Sequence, residues 1–141
     1  MKLNQLIAAL ILPCAAAAAF AAPAKYVIDD QSTANLMDQA AAEAIWLKSI
    51  TPATVKLFPA KAWGFLSQVE GGIDVAQKTC VITARAVVLP RKGKDLVFKP
   101  AKSATTFGAA PNASPEQCKA LGKAKLEEAV QALAGAMGTS N

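Results

Sequence analysis

The chain has 141 residues, 53% of them hydrophobic, with fifteen Lys or Arg, ten Asp or Glu and no histidine, for a formal net charge of +5. The missing histidine excludes Ser-His-Asp and Cys-His relays, the usual zinc sites and the commonest general base near neutral pH. The length suits one domain with a modest core.

Met1-Lys2 supplies one positive charge, and residues 6–12 form an apolar run too short to cross a bilayer. An alanine tract then ends in Ala19-Phe20-Ala21, the small-x-small pattern of a signal-peptidase site. The sequence therefore predicts a cleavable signal peptide over residues 1–21 and a single globular domain over 22–141, destined for the periplasm or for secretion. Cys14 follows Pro13 inside the apolar run, which does not fit a lipidation site. No later run is apolar enough for a transmembrane anchor.

Without residues 1–21 the chain has 120 residues, fourteen Lys or Arg and ten Asp or Glu, a net charge of +4. From Lys25 to Asp74 there are four basic and six acidic residues, but from Arg91 to Lys125 eight basic and two acidic. One surface is thus expected to be basic. Outside the cytoplasm such a surface meets anionic lipid head groups, an envelope polymer or an acidic protein, and not nucleic acid.

Cleavage leaves two cysteines, Cys80 and Cys118, which should pair in an oxidising compartment. Closing the 37 intervening residues stabilises the fold by roughly 4 kcal/mol in the chain-entropy model. Cys-x-x-Cys spacing is absent, so the pair reads as structural and neither redox-active nor metal-binding.

Along the chain, Lys25-Tyr26-Val27-Ile28 reads as extended, and a helix is expected over 33–49, capped by Ser32 or Thr33 and stopped by Pro52. Its predicted buried stripe is Leu36, Ala40, Ala44 and Leu47, with Trp46 at an edge. Lysines interleave with aromatics from Lys56 to Trp63, a loop entering a strand in which Lys61 and Trp63 are candidates for stacking or cation–π binding.

Strand character runs from Trp63 to about Phe107, with Gly71-Gly72 as a turn signal whose register is not clean. The longest strand is 79–89, ended by Pro90. A tight turn centred on Lys92-Gly93 would set Leu89 opposite Leu96 and Val87 opposite Phe98. Ser114, Pro115 and Gln117 carry the capping signature of a helix reaching about Met137, with Cys118, Gly122, Leu126, Ala129, Val130, Leu133 and Met137 on its core face.

If Cys118 faces the core, Cys80 must face the helical layer together with Ile82, Ala84, Ala86 and Val88. The other sheet face carries Val81, Thr83, Arg85, Val87, Leu89, Leu96 and Phe98; either the first helix covers it, or it becomes a homodimer or partner surface. Arg85 is a rim residue or an anion contact. The expected fold is therefore α+β: an N-terminal helix, a three- to four-stranded antiparallel sheet, and a C-terminal helix clamped to it by one disulfide.

No Ser-x-x-Lys, phosphate loop or calcium loop is present, and no motif calls for a cofactor or metal. The acid pairs Asp29-Asp30 and Glu70/Asp74 are the only general acid-base candidates. Asn112-Ala-Ser114 matches a glycosylation acceptor but precedes Pro115 in a chain with a bacterial-type leader. The sequence favours a non-catalytic accessory protein binding an envelope protein or anionic polymer, with Lys61, Trp63, Arg85, Arg91 and Lys92 as candidate contacts. An inhibitor or immunity protein and a small carboxylate hydrolase are the alternatives.

Overall fold

The computed structural model describes residues 25–138. The expected signal peptide, its cleavage site and Cys14 lie outside them. The elements in chain order are β1 (Val27–Asp30), α1 (Gln39–Ser49), α2 (Pro52–Leu57), β2 (Trp63–Asp74), β3 (Thr79–Lys92), β4 (Asp95–Leu96), β5 (Lys102–Pro111) and α3 (Pro115–Gly138). The class is α+β as expected, but the sheet is mixed. β1 runs parallel to β2, from Val27 beside Gly64 to Asp30 beside Ser67, and the other pairings are antiparallel. Gly64 permits this approach, because a Cβ there would fall 2.6 Å from the Val27 carbonyl oxygen.

The first helix starts later than the sequence suggests. Asp38, not Ser32 or Thr33, caps α1 by accepting the Ala41 N–H at 2.9 Å. The Ser32 hydroxyl is engaged elsewhere: it donates to Asp30 at 2.6 Å and accepts the Val69 N–H at 2.8 Å, tying the chain to β2. The buried face of α1 is Ala42, Ile45 and Trp46, whereas Ala40 and Ala44 are exposed and Leu47 is 61% exposed. Trp46 overrides the alanine stripe because it buries the largest surface in the helix and satisfies its polar atom. Its indole N–H donates to the buried Ser67 hydroxyl at 2.8 Å, and its ring stacks on Phe65 at 4.3 Å. Pro52 is at once the stop of one helix and the first turn of the next, with Thr51 and Thr54 forming a reciprocal cap on α2.

Gly71-Gly72 is not a turn. β2 continues through it to Asp74, and residues 75–78 close the hairpin, with the Asp74 carboxylate accepting the Gln77 N–H. Gly71 has φ +124°, and a Cβ there would lie 2.0 Å from the Val81 carbonyl oxygen, so glycine is required for the strands to stay in register. Likewise Pro90 does not end β3. The Arg91 N–H reaches the Ala62 carbonyl, and the Pro90 carbonyl accepts from Val97. The following turn is centred on Gly93-Lys94, which sets Arg91, not Leu89, across from Leu96. The chain then returns as β5 along Thr79 to Val88, a separate strand that the sequence pattern did not resolve.

The inner sheet face carries Phe65, Val69, Cys80, Ile82, Ala84, Ala86 and Val88, all buried against Cys118, Leu126, Ala129, Val130, Leu133 and Met137 of α3. The disulfide joins Cys80 to Cys118 with Cα atoms 5.6 Å apart. Ser114 and Gln117 form the predicted reciprocal cap of α3. Both α1 and α3 share this one core, so the three-layer alternative is not adopted. On the outer face Leu66, Val87 and Leu89 form a smaller cluster, covered in part by Leu96.

Candidate functional site

β1 is an edge strand, and the side of it turned away from β2 opens into a groove of about 640 Å³. Its walls are Tyr26 and Ile28 from the edge, Leu47 and Ile50 from the end of α1, and Val55 and Ala60 from α2 and the turn after it. Lys25 and Glu43 are its charged members. The bend at Ile50, which has extended backbone between two helices, swings α2 across to form the far wall. The apolar lining is partly open to solvent: Leu47 is 61% and Val55 48% exposed.

The edge is half closed by one side chain. The Gln39 carboxamide donates to the Ile28 carbonyl at 2.7 Å and accepts the Asp30 N–H at 3.0 Å, as a neighbouring strand would. The same amide donates to Glu43 at 2.7 Å. Because the N–H and C=O of one strand residue point to the same side, the Ile28 amide faces outward with its carbonyl, above the groove. Tyr26 is held there by its hydroxyl, which donates to the Phe58 carbonyl at 2.7 Å, and by its ring, 4.7 Å from Phe65. Desolvation by this packing pushes the Tyr26 hydroxyl pKa up.

A second feature adjoins the groove. The Arg91 guanidinium donates to the carbonyls of Gly93 (2.8 Å), Lys25 (3.0 Å) and Ala60 (2.7 Å), drawing three chain segments to one end of the sheet. Of the residues singled out from sequence, Lys61, Arg91 and Lys92 therefore come together, with Lys61 and Lys92 exposed. Trp63 begins β2 nearby, half-buried and edge-on to Phe58 at 5.1 Å. Arg85 stands apart on the outer sheet face, between Gln68 and Thr105, about 20 Å along β3 from Arg91 at the usual strand rise.

The two acid pairs are placed differently. Asp29 and Asp30 are consecutive on a strand and so point to opposite faces. Asp29 accepts from Gln31 and Asp30 from Ser32. Burial raises the Asp30 pKa, against the lowering effect of its hydrogen bonds to Ser32. Glu70 and Asp74 stand four residues apart on β2, about 13 Å between Cα atoms at the usual strand rise, and both border one open pocket with Val81 and Thr83. No group of three His, Cys, Asp or Glu side chains gathers among the described residues. None of their helices is long and apolar enough to cross a membrane.

No protein-family model, curated protein or solved structure matches this chain. The groove residues Tyr26, Ile28, Gln39, Ile50 and Val55 escape sequence reasoning, because nothing in a four-residue strand announces that it is an edge or that a later helix will fold over it.

Proposed function

We propose that the protein is an exported, non-catalytic accessory protein that holds an extended apolar segment of a protein partner in the groove beside β1. The carrying observation is the outward Ile28 N–H standing over a lining of Tyr26, Leu47, Ile50 and Val55. An extended peptide entering there accepts the Ile28 N–H and places alternate side chains in the groove, the recognition mode of strand addition. Gln39 already holds the Ile28 carbonyl and the Asp30 N–H and so limits how far a guest strand runs. The leader predicted over residues 1–21 and the Cys80–Cys118 disulfide support an oxidising compartment.

The test is selection of phage-displayed random heptapeptides on the oxidised protein lacking residues 1–21, followed by titration of an enriched peptide. Enriched sequences should alternate apolar residues, shift the Ile28 amide resonance, and bind at least tenfold more weakly to a Leu47→Asp/Val55→Asp variant. Both residues are exposed, so that variant should melt normally, and Arg85→Glu on the remote face should bind as the parent does. Failure to enrich, or binding indifferent to Leu47→Asp/Val55→Asp, refutes the reading.

A further inference from the structure

We infer that the segment between β3 and β5 docks the protein on an anionic bilayer surface, its lysines meeting the head groups and its exposed Val97-Phe98 pair entering the interface. Residues 91–99 carry Arg91, Lys92, Lys94 and Lys99 against one acid, Asp95. Arg91 adds Lys25 and Lys61 to the same end of the molecule through its bonds to the Lys25 and Ala60 carbonyls. In the middle of this charge stand Val97, 46% exposed, and Phe98, 69% exposed.

A solvated basic loop does not need an exposed phenylalanine, and the Val97-Phe98 pair, which follows the Gly93-Lys94 turn and β4, is held in place. The Val97 N–H donates to the Pro90 carbonyl, the Lys99 N–H to the Val97 carbonyl and the Ala101 N–H to the Val88 carbonyl. Leu96 is tucked against Leu66, Val87 and Leu89, and Phe98 flanks the same recess beside Lys94, Asp95 and Asp29, with most of its surface and nearly half that of Val97 left exposed. Basic residues beside a small exposed apolar pair combine the two contributions to interfacial binding, apolar burial and attraction to anionic lipid. A soluble polyanion would use the lysines but leave Val97 and Phe98 in water. The pair thus favours a bilayer.

The experiment is co-sedimentation of the oxidised protein lacking residues 1–21 with phosphatidylcholine vesicles and with phosphatidylcholine/phosphatidylglycerol vesicles. Binding should appear with the anionic vesicles and weaken with salt. Lys94→Glu/Lys99→Glu should lower it at least tenfold, at about fivefold for each lysine lost near the surface. Val97→Ser/Phe98→Ser should weaken it severalfold with an unchanged melting temperature. Phe98→Trp should be quenched by brominated lipid. Absence of binding to anionic vesicles overturns the inference. So does binding that polyphosphate matches and Val97→Ser/Phe98→Ser leaves intact, which would mark a plain polyanion patch. Leu47→Asp/Val55→Asp should keep full vesicle binding, which separates this surface from the groove.

Discussion

Ser67→Ala tests whether one buried polar contact fixes α1, and with it the wall of the groove. Ser67 is fully buried and Trp46 is 2% exposed, and the indole N–H donates to the serine hydroxyl at 2.8 Å. Removing the hydroxyl leaves the indole donor without its partner inside a largely apolar core. The expected loss is the desolvation penalty of an orphaned donor, about 1–3 kcal/mol. Trp46→Phe should cost more, because it also empties volume beside Phe65. The double variant Trp46→Phe/Ser67→Ala should cost less than the sum, because it removes both partners together. Urea unfolding followed by far-ultraviolet circular dichroism gives all three values, free of the fluorescence lost with Trp46. A Ser67→Ala loss under about 0.5 kcal/mol, or strict additivity in the double variant, refutes the claim that this bond anchors the helix.

The disulfide should contribute about 4 kcal/mol through the unfolded state, so Cys80→Ala/Cys118→Ala should lower the urea midpoint by a large part of its range, and reductant should do the same to the parent. Asp30 works in the opposite sense. Its folded-state pKa is raised, chiefly by desolvation, so its contribution is fully present below the unfolded carboxylate pKa and lost as pH rises through the folded one. Asp30→Asn should therefore unfold at a higher urea concentration than the parent at pH 7, with the advantage gone near pH 3, about a unit below the unfolded aspartate pKa. An equal advantage at both pH values would refute it.

The readable parts of this fold are those written in local chemistry. Ser114, Pro115 and Gln117 announce α3 because a cap needs particular side chains at fixed spacing, and Cys118 on its apolar stripe then orients Cys80 and the whole face of β3. What stayed illegible depends on distant partners. Ser32 looks like a helix cap until Val69 claims its hydroxyl from 37 residues away. Trp46 sits off the alanine stripe, and only Ser67 and Phe65 bring it into the core. Gly71-Gly72 has the composition of a turn but serves close approach to Val81. The candidate site divides in the same way. The basic residues around Arg91 were visible as charge, whereas the groove depends on β1 lying parallel at an edge, which no residue in Val27–Asp30 encodes alone.

That parallel pairing sets an order of events on a chain made from its N-terminus. β1 emerges first, yet Gly64, the partner of Val27, follows 37 positions later, and Cys80 must wait 38 more residues for Cys118. The helices that wall the groove, α1 and α2, both rest on α3, the last element to appear. A chain clipped before α3 therefore lacks the support for the walls of that groove.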